Sequence, residues 1–143
     1  MDWKKETIDE LRKHGIRRAA VGSLRQRIDI LETDFGRLKA VQTDRGVSRG
    51  GGSAAEDRLI NNLMERERLT DQLQITKAYI RWMETALQQL SPEEVTVLEY
   101  FFIDRPADYV DQLCERLGCE QAQVDRIKER ALRELALRLY AAA

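Results

Sequence analysis

Apolar residues recur at alternating spacings of three and four over residues 21–38, and this heptad pattern restricts the fold more than any other feature of the chain. The six positions are Val21, Leu24, Ile28, Leu31, Phe35 and Leu38. A half-buried strand would alternate at every second residue, whereas this spacing places all six side chains along one side of a helix. The pattern predicts a long helix with a coiled-coil-like apolar seam.

A second heptad pattern covers residues 59–90. Its a positions are Leu59, Arg66, Leu73, Ile80 and Leu87, and its d positions are Asn62, Leu69, Thr76, Met83 and Leu90. Seven of these ten residues are apolar. Two amphipathic helices in succession predict an antiparallel hairpin, residues 1–90, that buries both seams.

Glycines mark the places where this hairpin is expected to be interrupted. Residues 45–55 are rich in glycine and serine, and they predict a loop because glycine loses the most backbone entropy in a helix. Gly15 and Gly22 each disfavour a helix interior by about 1 kcal/mol relative to alanine. We therefore expect a bend, or a separate short helix, before Val21.

The composition favours an all-α chain in which long helices carry polar surfaces. About a third of the 143 residues are charged and only two are proline, and Ala, Leu, Glu, Arg and Gln are good helix formers. The chain has no apolar run of about 18 residues and no signal peptide at its start, so we expect a cytoplasmic protein. The net charge of −1 gives no general attraction to a polyanion.

A second domain is predicted at residues 91–143. Ser91, Pro92 and Glu94 form a strong helix start, with Ser91 as N-cap and Pro92 at the position where a missing amide costs nothing. Asp108 is predicted to cap the next helix, which ends before Gly118. A turn of three residues, 118–120, then separates it from a long helix beginning at residue 121. This order predicts a helix-turn-helix unit, with Gly118 at positive φ in the turn.

The last helix has one apolar and one polar side. Val124, Ile127, Ala131, Leu132 and Leu135 are predicted to point inward, and Gln121, Gln123, Arg126, Arg130 and Arg133 outward. In a DNA major groove, glutamine pairs with adenine edges, and arginine pairs with guanine edges or phosphate. A solvated helix surface would have the same mixture of side chains. Residues 91–143 have a net charge of −4, which disfavours strong binding to DNA regardless of sequence.

The segment "LSPEEVTVLEYFF", together with "QLCERLGC" and "QVDRIKERALREL", resembles the C-terminal domain of bacterial sigma factors, which reads the promoter −35 element. The sigma-like resemblance covers residues 90–140. The whole architecture is similar to phage-encoded sigma-like regulators of the RinA and ArpU type. Leu113, Cys114, Leu117 and Gly118 match the first reading helix and its turn. Glu120 replaces the Ser or Thr that usually caps the recognition helix, so a weak cap is expected.

The resemblance implies a sequence-specific transcriptional regulator of phage or prophage type. It implies DNA contacts from Gln121, Gln123, Arg126 and Arg130. The full predicted DNA-contacting set is Gln121, Gln123, Arg126, Lys128, Arg130 and Arg133. The expected partners are double-stranded DNA, RNA polymerase and a second copy bound through the N-terminal helices. The alternative is a structural or protein-interaction module, or a DNA-packaging module like the small terminase subunits of phages.

The remaining residues give no pattern typical of an enzyme. Cys114 and Cys119 are the only cysteines, and His14 is the only histidine and lies far from them in sequence. Two thiols and one distant imidazole do not match a zinc site, so we interpret the cysteines as packing residues. The glycines at 50–52 lack the Lys-Ser/Thr ending of a phosphate-binding loop. We expect no cofactor, no metal and no catalytic activity.

Overall fold

The computed structural model describes residues 1–44 and 52–143, without the side chains of residues 42–44 and 52–53. Its helices are α1 (Trp3–Asp44), α2 (Gly52–Leu87), α3 (Pro92–Leu98), α4 (Tyr109–Leu117) and α5 (Gln121–Tyr140), and a π-helical turn, Glu99–Ile103, extends α3. These ranges contain no strand, which confirms the all-α class. Most of the predicted loop at 45–55 lies outside the described residues, but its last four residues already belong to α2.

Helix α1 is continuous, and the expectation of a bend or a separate helix before Val21 is wrong. Its 42 residues include both Gly15 and Gly22 without a break. Glycine lowers helix stability by a fixed amount at one position, whereas packing along a 42-residue helix contributes at many positions. Tertiary contacts therefore outweigh the intrinsic preference of two glycines.

Residues 19–77 form one of two compact units. Within it α1 and α2 run antiparallel, since Leu24 packs on Leu69 and Leu73, while the Asn62 side-chain amide donates to the Leu31 carbonyl oxygen at 2.9 Å. Within this unit the predicted a and d positions of α2 are all buried or partly buried, namely Leu59, Asn62, Arg66, Leu69, Leu73 and Thr76. Ion pairs flank this packing, with Arg27 3.3 Å from Glu65 and Arg66 3.5 Å from Glu32.

The second compact unit combines Met1–Arg18 with Ala78–Ala143. One core cluster joins Leu11 of α1 and Met83 of α2 to Leu98, Leu132 and Leu135 of the C-terminal helices. This division differs from the predicted boundary at residue 90, because both helix ends of the predicted hairpin belong to the unit that contains α5. A heptad pattern identifies the buried side of a helix but not the element that covers it.

The predicted start of α3 is confirmed. Ser91 has extended backbone, its hydroxyl accepts from the Glu94 N–H at 3.2 Å, and the Glu94 carboxylate accepts from the Ser91 N–H at 3.2 Å. Asp108 occupies the predicted N-cap position of α4, but it does not cap the helix with its side chain. Its φ of 53° places it in the left-handed region, and its side chain makes no capping hydrogen bond. A carboxylate reaches the helix amides from extended backbone, which Asp108 does not have.

His14 is buried in the unit formed by Met1–Arg18 and Ala78–Ala143, and its Nδ1 atom has no hydrogen-bond partner. Burial lowers the pKa of His14, and the nearby Arg18 lowers this pKa further. Glu84 and Glu99 raise it and Arg17 lowers it, each by less than burial does. The folded protein therefore keeps this imidazole neutral at pH values at which an exposed histidine is protonated.

We expect folding stability to decrease as the pH falls below the pKa of an unfolded-chain histidine, about 6.5. Below that pH the unfolded chain binds a proton that folded His14 does not bind, so protons stabilise the unfolded state. Urea midpoints at about pH 7.5 and about pH 5.5 measure the effect. His14→Gln is the control: His14 is the only histidine, so the variant should have nearly equal midpoints. An equal decrease in both proteins would contradict this assignment.

Candidate nucleic-acid interface

A short turn, residues 118–120, separates α4 from α5. Gly118 adopts φ 65° and ψ 35°, the left-handed conformation predicted for it, which costs glycine little. The Cys119 N–H donates to the Cys114 carbonyl oxygen at 3.1 Å and so closes the end of α4. Glu120 is extended and makes no side-chain capping bond, which confirms the weak cap expected at this position.

A compact cluster holds α4 and α5 against α3. It contains Val97 and Phe101 before the turn, Leu113 of α4, and Val124 and Ile127 of α5. The five residues of α5 predicted to point inward, Val124, Ile127, Ala131, Leu132 and Leu135, are all buried. Their burial fixes the rotation of α5 about its axis, and therefore determines which of its side chains reach solvent.

Four of the predicted DNA-contacting residues form one exposed row on α5. Gln123, Arg126, Arg130 and Arg133 are all exposed, and at about 100° per residue they occupy a sector of about 80° on the side opposite the buried residues. We call these four residues the arginine row. Gln121 is exposed in the first turn of the helix, but it lies about 160° around α5 from the centre of the row and does not belong to it.

Lys128 does not belong to the arginine row. Its position lies about 180° around α5 from the centre of the row, and its side chain is 22% exposed. The ammonium lies 5.0 Å from the centre of the Phe101 ring, and 3.9 Å from both an Asp125 and a Glu129 carboxylate oxygen. Its inclusion in the predicted DNA-contacting set is inconsistent with this placement.

Three carboxylates of α5 lie around the arginine row, and each has a cation beside it. Glu134 lies 3.8 Å from Arg138. Glu129 accepts a hydrogen bond from the Lys4 ammonium at 2.9 Å, and Asp125 lies 3.9 Å from Lys128. Neither acid forms an ion pair with Arg126 or with another arginine of the row within the described residues. Among the described residues, Arg126 and Arg133 form no ion pair, and the cations beside the acids reduce the repulsion of an approaching anion.

Two arginines of the row have partners that orient them. The Arg130 Nε atom lies 3.7 Å from a carboxylate oxygen of Glu94, whose side chain is almost completely buried. The Arg126 guanidinium donates to the Gln123 side-chain oxygen at 3.3 Å. A guanidinium held at one nitrogen retains other N–H groups for a second acceptor. Arg133 forms no ion pair with any described residue.

The sequence alone did not identify two residues that shape this interface. Lys4 lies 125 positions before Glu129, and no local spacing indicates that pairing. Glu94 was assigned only to the helix start, where it also acts, and its contact with Arg130 depends on how α3 crosses α5.

The cysteines next to the turn are suited to packing. Cys114 and Cys119 are partly buried against the cluster around Phe101. Loss of solvation raises the pKa of the Cys114 thiol, as do the charges of Cys119, Asp111 and others nearby, which disfavours the reactive thiolate. Among the described residues, no three or more His, Cys, Asp or Glu side chains come together in a group that could hold a metal ion.

No described helix is both long enough and apolar enough to cross a membrane. Comparison with protein-family models gives no match. Comparisons with curated proteins and with solved structures give none either.

Proposed function

We propose that this chain is a DNA-binding transcriptional regulator of phage or prophage type, which acts in the cytoplasm and has no enzymatic activity. In this function α5 enters the major groove of double-stranded DNA with its N-terminal half, in a sigma-like mode of promoter recognition. A major groove is wide enough for an α-helix and displays a distinct pattern of donors and acceptors for each base pair.

The arginine row is the observation that carries this function. Gln123 and Arg126 lie in the first two turns of α5, where they are exposed and closest to base edges in a helix-turn-helix docking geometry. Arg130 and Arg133 follow on the same face at a spacing suited to phosphate.

The acidity of residues 91–143, net −4, requires a second source of affinity. Each phosphate contact releases counterions, and a domain with few contacts binds weakly at physiological salt. RNA polymerase, or a second copy of the chain, would supply the missing free energy by making recognition bivalent. Under this function the isolated chain binds its site weakly and with a shallow dependence on salt.

Selection from a library of random-sequence duplexes, followed by fluorescence anisotropy on the selected duplex, tests this function. We expect a reproducible consensus sequence and binding that weakens with salt. Replacing Gln123 and Arg126 together by alanine should weaken binding by about 10- to 100-fold, because a good bidentate base contact contributes about 1–3 kcal/mol.

Arg37→Ala is the matched control, since it removes one exposed positive charge from α1, as the double variant does from α5. It should bind the selected duplex like the parent. Circular dichroism checks that each variant is folded. If no consensus sequence emerges, or if the double variant and the control bind equally, the row is an ordinary solvated surface and this function is excluded.

A further inference from the structure

Helix α2 exposes apolar side chains on the side facing away from its buried seam. Within residues 19–77, Ile60, Met64 and Ile75 are 52%, 63% and 60% exposed, although Leu69 and Leu73 on the opposite side are buried. A helix that packs with one partner normally has one apolar stripe. The packing against α1 does not cover these side chains, so they remain available to a partner.

Six residues make up this second stripe, which we call the outer stripe. They are Ile60, Met64, Glu67, Arg68, Asp71 and Ile75. At about 100° per residue they occupy a sector of about 100°, centred nearly opposite the seam. All six are exposed. Two isoleucines about 22 Å apart therefore flank a charged centre and a methionine.

The order of residues in the outer stripe is self-complementary at its two ends and at its centre. Two antiparallel copies, related by a twofold axis between residues 67 and 68, place Ile60 of each copy against Ile75 of the other. The same operation places Glu67 opposite Arg68 of the second copy, twice, and Met64 opposite Asp71. A twofold interface uses one surface patch on both subunits, and it requires this kind of internal pairing.

We propose that a second copy of the chain packs antiparallel on the outer stripe of α2, which gives a four-helix arrangement of two α1–α2 pairs. Apolar contacts at both ends and reciprocal charge pairs at the centre determine the register. Arg68 already bonds to Glu65 of its own chain at 2.6 Å and 3.0 Å, so its guanidinium is oriented before the copies meet. The intramolecular seam stays intact, because the dimer uses the opposite side of the helix.

This interface is one helix crossing, smaller than a standard interface of about 1,600 Å². We therefore expect a reversible dimer whose population rises with concentration. The dimer does not require the DNA-binding function proposed above, and its test contains no DNA. If the protein self-associates but selects no consensus DNA sequence, only the DNA-binding function is excluded. If it binds DNA but stays monomeric, only the dimer is excluded.

Sedimentation equilibrium of the full chain over a range of concentrations tests the dimer. The parent should shift from monomer to dimer as its concentration rises. The double variant Ile60→Asp with Ile75→Asp should still be monomeric at concentrations at least tenfold higher than those at which the parent dimerises. Ile30→Asp is the control, because Ile30 is 60% exposed on α1 and outside the outer stripe. Circular dichroism verifies that all three proteins are helical.

Cysteine cross-linking tests the antiparallel register, in a background with Cys114→Ala and Cys119→Ala. One protein carries Ile60→Cys and another Ile75→Cys. Under mild oxidation, a mixture of the two should form a disulfide-linked dimer, and neither should do so alone. A parent that stays monomeric at every concentration, assembles into a larger ring, or cross-links through Ile60→Cys alone would overturn the proposal.

Discussion

A fragment consisting of residues 91–143 is expected to lack a cooperative thermal unfolding transition, although the sequence divides the chain at that point. The reason is that the core around α5 is incomplete within the fragment. Leu98, Leu132, Leu135 and Leu139 share one cluster with Leu11, Met83, Ala86 and Leu87, and the fragment removes the second group entirely. Burying a leucine side chain contributes about 1.5–3 kcal/mol.

The free energy lost with these leucine contacts is large compared with the stability of so short a chain. At about 0.05–0.15 kcal/mol per residue, a domain of this size has only a few kcal/mol of stability, and four partly uncovered leucines exceed it. Circular dichroism during heating, with binding of a hydrophobic dye, measures the result. A sharp transition and no dye binding would show that the cluster around Phe101 suffices for folding.

A rearranged chain provides the positive control for the fragment. It joins Met1–Arg18 through a short Gly/Ser linker to Ala78–Ala143, which restores all the residues of the cluster. The two ends are close enough to join, because the Arg17 guanidinium lies 4.0 Å from the centre of the Tyr79 ring. This chain should unfold cooperatively, whereas the fragment of residues 91–143 should not.

Replacement of Gly15 by alanine is expected to destabilise the protein by about 1–2 kcal/mol, against the normal helix preference. A β-carbon at Gly15 would lie 2.7 Å from the backbone carbonyl oxygen of Ile103. That carbonyl belongs to the last residue of the π-helical turn, which is closed by the Asp104 N–H bonding to the Glu99 carbonyl oxygen at 2.8 Å. Overpacking against backbone costs about 1–3 kcal/mol, which exceeds the gain in helix propensity.

Gly22→Ala is the matched comparison in the same helix. A β-carbon there meets no atom within 4 Å, so the substitution should raise the free energy of unfolding by about 1 kcal/mol. Urea denaturation of both variants measures the difference in sign. If the two substitutions stabilise the protein equally, the close approach of α1 to the π-helical turn does not exist in solution.

The sequence by itself determined the all-α class, the buried sides of α2 and α5, and the local structure at two helix ends. Heptad spacing identified the nine seam positions of α2 from Leu59 to Leu87, all at least partly buried, and the spacing on α5 identified its buried residues. The start at Ser91 and the left-handed Gly118 also followed from local chemistry. Each of these features depends on residues within one or two helical turns, so the local sequence is sufficient to predict it.

Only the tertiary structure decided which helices share a core and which charges remain available. It joined Leu11 to Leu132, assigned Lys4 to Glu129, and placed Lys128 against Phe101 instead of in the arginine row. It also showed that Gly15 leaves room for the Ile103 carbonyl oxygen, which helix propensity does not predict. These relations connect residues distant in sequence, and many pairings are compatible with the same helical periodicity. The pairing that forms is determined by how the helices cross and pack, and local spacing does not specify this.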